Sequence, residues 1–274
     1  MLKLEYSGAS LGALIKKGAG FYTHILWKVF PLAFILSLAS VVFSLARTIL
    51  HPHIGWMVLG VIVMFVTLVY LALALVHQMY APTLTEKMPG ILESLFAVRS
   101  KFIKYVVVLL LSMSVLALIG AVLIIVFSLL ALIPKGLLMV HMLSIFVTIV
   151  SGIIIAVFLT LVIPVVLFED VGIIKSIKCT ISFTRKKFWA SFLMVLIARL
   201  PTVLFTYAVM LAVVFFATGS LAHFHEYIMM RGSLMPSVII QLIFLIGAPF
   251  FAIWSFANIL NLYHTLKNYE NTGN

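Results

Sequence analysis

The chain has 274 residues, of which 65% are hydrophobic and only 9% are charged. Soluble globular chains are about half apolar and about a quarter charged, so this composition excludes a water-soluble globule and predicts a membrane protein. The net charge of +11 would also suit a nucleic-acid partner. Because the basic residues lie in short segments beside apolar stretches, where anionic headgroups account for them, we predict no nucleic acid partner.

Six apolar stretches are each longer than the roughly 20 residues that cross a bilayer core. They cover residues 28–50, 54–80, 105–133, 137–168, 190–217 and 234–263. The predicted fold is therefore an all-α polytopic membrane protein with six transmembrane helices arranged as three hairpins. We expect one integral membrane domain over residues 1–274, with amphipathic interfacial helices on the cytoplasmic side.

The basic residues predict the orientation, because basic loops resist translocation. With the N-terminus inside, fourteen of the eighteen Lys and Arg residues fall on inner segments and three fall on outer flanks, while Arg199 lies within the fifth helix. We therefore expect both termini in the cytoplasm and the protein in a bacterial inner membrane. Lysines that precede a long apolar run, with no small-residue cleavage site after it, predict that the N-terminus is not a cleavable signal.

Glycines recur along the chain at a fixed interval. Gly8, Gly90 and Gly172 are spaced by 82 residues, and residues 90–104 match residues 172–186 at five of fifteen positions. The pattern predicts a duplicated unit, repeated near residues 8–89, 90–171 and 172–264. Chance agreement between small and apolar residues is the alternative.

The segment that opens the third unit is predicted to form an amphipathic helix. Isoleucines at positions 173, 174, 177 and 181 recur at helical spacing, and the opposite side carries Lys175, Lys178, Ser182 and Arg185. Such a helix lies on a membrane surface, so we expect anionic lipids of the cytoplasmic leaflet to contact Lys178, Arg185, Lys186 and Lys187. Residues 89–104 repeat this design. We interpret Glu169 and Asp170 as caps for the start of the helix.

A family resemblance rests on the stretch from residue 164 to residue 189. Its residues are Pro164, Glu169, Asp170, Gly172, Ile173, Ser176, Ile177, Ser182, Arg185, Phe188 and Trp189. This stretch resembles the YciC-like bacterial inner-membrane proteins, and it is similar to the membrane domain attached to some glycerophosphodiester phosphodiesterases. The resemblance implies a six-helix inner-membrane protein linked to envelope and lipid physiology, and it supplies no catalytic residues.

Arg199 is the strongest single candidate for a functional residue. It lies about 15 Å beyond Trp189 at helical rise, and Pro201 nearby can free backbone carbonyls. A charge near the membrane centre costs roughly 2.5 to 3.5 kcal/mol on translocon scales. Two interpretations stay open: the guanidinium reaches the inner interface along its own stem, or it contacts a lipid phosphate or substrate beside Gln241, Asn258 and Asn261.

Outer-side histidines offer a second candidate site. His51, His53, His223 and His225 form two His-x-His pairs, a residue type that binds zinc or copper. The alternative is that they are interfacial histidines in short loops, since the pairs lack the spacing of known sites. We predict no cofactor, and the single cysteine, Cys179, excludes an intramolecular disulfide.

The motifs of common enzymes are missing from the sequence. It contains no phosphate-binding loop, no zinc-protease helix and no nucleophile elbow, and all seven acidic residues fall in predicted loops or termini. We therefore expect a protein that is not an enzyme and that binds or moves lipid-like molecules or supports envelope homeostasis. The alternatives are a structural subunit with a protein partner or a second copy of itself, and an interfacial enzyme that uses Glu169 and Asp170.

Overall fold

The computed structural model describes residues 11–49, 54–85, 87–131, 137–169, 171–186, 188–218 and 234–271. Within these ranges the only regular elements are helices, and we number them in chain order. They are α1 (Leu11–Ile49), α2 (Ile54–Thr85), α3 (Ile91–Ala131), α4 (Leu137–Phe168), α5 (Ile173–Lys186), α6 (Phe188–Thr218) and α7 (Leu234–Asn271). The predicted all-α class is confirmed for the described residues.

Six of these helices are long and apolar enough to cross a membrane, namely α1, α2, α3, α4, α6 and α7. Hydrocarbon offers backbone N–H and C=O groups no water, so a helix that bonds them internally suits such sequences. The prediction of six candidate crossings is confirmed. The 14-residue helix α5 is too short to cross and is much more polar.

Three helices are about twice as long as a bilayer core is thick. Helices α1, α3 and α7 contain 39, 41 and 38 residues. At helical rise these lengths are roughly 57 to 62 Å, about twice a hydrocarbon core. The basic segments that open the first two predicted units are thus continuous with the spanning helices. In α3 no glycine or proline lies between residues 91 and 119, so nothing local ends the helix.

The described chain divides into two compact units. The first contains Met1–Val98 and Leu196–Asn261, and the second contains Arg99–Val195 and Leu262–Asn274. The prediction of one membrane domain made of three repeats is not tested by this division.

In the first unit, α1 packs against α2 and runs antiparallel to α7. The contacts are shown by a ladder of pairs in which the α7 number falls as the α1 number rises. These pairs are Leu14 with Asn261, Gly18 with Asn258, Tyr22 with Trp254, Phe30 with Phe250, and Ser44 with Gln241. The start of α1 therefore lies beside residues 258–261 of α7.

In the second unit, α5 packs against α4 through a face of small hydroxyl residues and one aromatic ring. The buried residues of α5 are Ser176, Thr180, Phe183 and Thr184. The three hydroxyls donate to the carbonyl oxygens four residues earlier, at 2.9 to 3.1 Å, so their polar groups are satisfied inside the helix.

Helices α3 and α5 begin in the same way, one residue after Gly90 and Gly172. Ser94 and Ser176 donate their N–H to these glycine carbonyls at 2.9 Å, and both serines are fully buried. Burial and exposure recur at the 82-residue offset: positions 98 and 180 are buried, while 92 and 174, 96 and 178, 99 and 181, and 103 and 185 are exposed. The burial pattern thus agrees at positions where the residues differ. That the units arose by duplication stays a prediction.

The close approach of α1 to α7 predicts the effect of replacing a glycine. A Cβ at Gly18 would collide with the amide oxygen of Asn258, which is fully buried. We expect Gly18→Ala to lower the free energy of unfolding by about 1 to 3 kcal/mol, because α1 and α7 must move apart where Gly18 contacts Asn258. Thermal unfolding of the detergent-solubilised protein, followed by circular dichroism, measures this.

Gly20 is the matched control on the same helix, since a Cβ there would meet nothing within 4 Å. Gly20→Ala should leave stability unchanged or raise it by up to about 1 kcal/mol, because alanine favours helix over glycine. Equal destabilisation by both substitutions would contradict close packing of α1 against α7 at Gly18.

Candidate functional site

The ends of α4 and α7 meet at a charged cluster in the second unit. The carboxylate of Glu169, which directly follows α4, accepts hydrogen bonds from the Tyr263 hydroxyl and from Lys267 Nζ, the latter at 2.8 Å. Lys104 Nζ of α3 donates to the main-chain oxygen of Glu169 at 3.2 Å. A lysine at the end of α4 complements the negative end of the helix dipole. One acidic residue thus ties together the end of α4, α3 and the last turns of α7.

The environment of Glu169 favours its ionised form. Partial burial raises the pKa of this carboxyl, but the hydrogen bonds from Lys267 and Tyr263 and the charges of Lys267 and Lys104 outweigh it, so the pKa lies below its ordinary value of 4.5. The cluster therefore stabilises the fold above that ordinary value, and the stabilisation is lost as the pH falls through the lowered pKa.

The same cluster positions α5. The ring of Tyr263 contacts the ring of Phe183 on α5 with centroids 6.0 Å apart, and it also lies near Phe168 at 6.3 Å. The hydroxyl of Tyr263 donates to the Glu169 carboxylate and its ring packs against Phe183, so this tyrosine links the end of α4 to α5. Glu169 and Tyr263 act here as positioning residues.

This geometry corrects the interpretation of Glu169 as a cap for α5. Its described carboxylate contacts go to α7, whereas in the first turn of α5 the carbonyl of Gly172 accepts the N–H and the hydroxyl of Ser176. Asp170 lies outside the described residues. Tyr263 and Lys267 are four residues apart and therefore share a helix face, which is the sequence signal for this pair.

On the exposed side of α5, apolar and basic residues lie next to each other, which corrects the predicted placement of isoleucines and cations on opposite sides of the helix. Ile174 and Ile181 are 68% and 50% exposed, and Lys175, Lys178 and Arg185 are exposed as well. We call these five residues the basic α5 surface. Of the other predicted lipid contacts, Lys186 is the last residue of α5, and Lys187 lies outside the described residues.

The predicted polar neighbours of Arg199 donate their described hydrogen bonds to other residues. Gln241 donates to the Ser44 hydroxyl at 2.6 Å, Asn258 donates to the Trp254 carbonyl at 2.9 Å, and Asn261 donates to the Leu14 carbonyl at 2.8 Å. These amides bind α1 or their own helix. The side chain of Arg199 is exposed on α6, and none of the described residues forms a hydrogen bond or ion pair with it.

Sequence analysis did not identify the role of Trp254. Its indole N–H points to the carbonyl of Ile197 over a long 3.5 Å, and its ring meets Tyr22 edge to face at 5.5 Å. Ile197 lies four residues before Pro201, so proline leaves this carbonyl without its helical donor. The sequence signal was the proline, but it does not show which side chain reaches the freed oxygen.

The four histidines of the predicted metal site, His51, His53, His223 and His225, lie outside the described residues. Among the described residues, no group of three or more His, Cys, Asp or Glu side chains is placed to hold a metal ion.

No family model, curated protein or solved structure matches this chain. Fold and site together define an all-α protein with six candidate membrane crossings and an exposed basic and apolar helix surface.

The charged cluster predicts a pH-dependent stability. We expect Glu169→Gln to lower the free energy of unfolding at about pH 7 by about 1 to 3 kcal/mol, because it removes a charge-assisted bond and leaves Lys267 without its anion. The variant should also lose the acid-induced destabilisation that we expect of the wild-type chain below the ordinary pKa of glutamate. Denaturant titration in detergent at several pH values measures both effects.

Glu93→Gln is the matched control, since Glu93 is exposed and its carboxylate accepts only a 3.2 Å bond from the N–H of Gly90 among the described contacts. This variant should lose less stability. The cluster would be refuted as a stabilising tie if Glu169→Gln unfolded like the wild-type chain throughout this pH range.

Proposed function

We propose that this chain is a non-enzymatic, multi-pass protein of a bacterial inner membrane that binds or moves lipid-like molecules, and that the basic α5 surface recognises anionic headgroups of the cytoplasmic leaflet. The observation that carries the proposal is the composition of that surface. Exposed isoleucines adjoin three exposed cations, while the opposite face of α5 is packed on α4. A helix with this pattern lies at a membrane interface, with its apolar side chains in the acyl region and its cations at the phosphates.

Contacts within each unit support the proposed hairpins. Lys104, near the start of α3, reaches the end of α4, as expected of two consecutive helices that cross and return. Leu14, near the start of α1, reaches Asn261 near the end of α7, which suits two termini on one side. Because Lys104 and Lys267 adjoin Glu169, the positive-inside rule assigns that end to the cytoplasm.

The absence of an enzymatic role is part of the proposal. The carboxylate of Glu169 is already engaged by an ammonium and a phenol, so it serves as a tie between helices rather than as a free acid or base. The resemblance of residues 164–189 to the YciC-like family supports a role in envelope or lipid physiology.

The single cysteine of the chain tests the orientation. Cys179 lies on α5 and is partly exposed. A membrane-impermeant maleimide should label it in inverted membrane vesicles but not in intact spheroplasts. Arg185→Cys in a Cys179→Ser background provides a more exposed label on the same helix. Labelling from the periplasmic side in both variants would overturn the orientation.

Neutralising the basic α5 surface tests lipid recognition. We expect Lys175→Gln, Lys178→Gln and Arg185→Gln together to reduce the preference for phosphatidylglycerol over phosphatidylcholine by about tenfold or more, since each cation near the surface contributes on the order of 1 kcal/mol. Electron paramagnetic resonance of spin-labelled lipids in reconstituted vesicles measures the preference. High salt should weaken it in the wild-type chain.

The matched control neutralises three exposed cations outside α5, namely Lys16, Lys28 and Arg99. This triple variant should keep most of the preference. An equal loss in both triple variants would show a diffuse charge effect and would overturn the assignment to α5.

A further inference from the structure

Contacts with α7 fix the rotation of α6 in the first unit. Trp254 reaches the carbonyl of Ile197, and the ring of Phe205 lies 4.7 Å from that of Phe251. A Cβ at Gly247 would collide with Phe205, so this ring fills the space that the glycine leaves. Ala198, Val209 and Val213 are buried. This side of α6 therefore belongs to the protein interior.

The other side of α6 is exposed along its length and is almost entirely apolar. Its exposed residues include Leu196, Leu200, Val203, Tyr207 and Leu211. Arg199 is exposed among them, and it is the only charged residue in α6. We call these six residues the α6 outer face. In the proposed membrane placement this face meets lipid, so a guanidinium projects from a surface that is otherwise suited to acyl chains.

The depth of Arg199 decides what it can meet. Ten residues separate it from Trp189, which is exposed near the start of α6 as interfacial tryptophans are. This separation is about 15 Å along the axis, and nineteen further residues, about 28 Å, complete the helix. The long side chain shortens the distance to the headgroups but does not span it. The guanidinium therefore needs an anion that descends below the headgroup plane.

A carboxylate of this chain is a poor source of that anion. Among the six candidate spans, the only acidic residue is Glu93, which is the third residue of α3. A second copy of the protein therefore has no acid to offer at the depth of Arg199. The phosphodiester of a neighbouring phospholipid is the anion that the surrounding leaflet supplies, and its oxygens match the forked donors of a guanidinium.

We propose that Arg199 binds the phosphodiester of a membrane phospholipid on the α6 outer face, below the plane of the surrounding headgroups. The inference rests on the proposed membrane placement but not on recognition by α5. It names the ligand chemistry of a second site, where the phosphate itself is bound whatever the net charge of the headgroup. A lipid held in this position is displaced inward from its leaflet, which is the geometry a lipid-moving protein requires.

Native mass spectrometry of the full chain released from nanodiscs tests the site. The probes are phosphatidylcholine, phosphatidylglycerol and a neutral glycolipid without phosphate. The wild-type chain should retain one phosphatidylcholine at this site and no glycolipid, whereas phosphatidylglycerol can also be held at the basic α5 surface. We expect Arg199→Met to reduce the phosphatidylcholine retention by about tenfold or more, and Arg199→Lys to reduce it less, because an ammonium offers no fork. Arg199→Met places an apolar side chain on an apolar face, so the variant should fold.

Arg185→Met on α5 is the matched control, since it removes an exposed arginine from the other site. It should weaken the preference for phosphatidylglycerol and leave phosphatidylcholine retention intact, while Arg199→Met should do the reverse. The two proposals can therefore fail separately. Equal retention of glycolipid, displacement of the lipid by excess inorganic phosphate, or a stoichiometric protein partner lost on Arg199→Met would each overturn the lipid site.

Discussion

The scarcity of water in a bilayer core is the constraint on which this structure depends. A buried polar group without a partner is costly there, and four described side-chain donors reach main-chain carbonyls of other helices or connecting segments. Asn261 donates to Leu14, Tyr70 to Leu95, Gln78 to Pro89 and Trp254 to Ile197. These bonds also set the position of one helix against the next, so polar satisfaction and helix packing are achieved by the same residues.

The cluster around Glu169 shows how a surface helix is held by the same means. A carboxylate at the end of α4 binds a hydroxyl and an ammonium of α7, and the ring that carries this hydroxyl supports Phe183 of α5. The buried hydroxyls of α5 donate to carbonyl oxygens of their own segment, so its packed face needs no outside acceptors. The exposed isoleucines and cations of α5 therefore lie on a helix whose position these contacts fix.

Arg199 is the exception that gives the molecule its second candidate site. The polar side chains of α7 that could have neutralised the cost of its charge are bound elsewhere, and α6 turns it outward. A protein selected for stability alone would have no reason to keep a cation among exposed leucines. In the proposed function, this contrast divides lipid recognition into headgroup charge at the basic α5 surface and phosphate at Arg199.

The sequence by itself determined the helical class and the six apolar spans, because composition and local backbone preferences act over a few turns. The spacing in α5 predicted isoleucines and cations on opposite sides, but the structure exposes both kinds of residue on one side and buries a face of hydroxyl residues with Phe183. Only the tertiary structure decided that Glu169 binds Tyr263 and Lys267, that the opening segment of α3 continues into its spanning helix, and that Asn258 fills the space beside Gly18. The reason is physical: lipid solvates every apolar helix face about equally, so periodicity shows which residues share a face but not which helix that face meets.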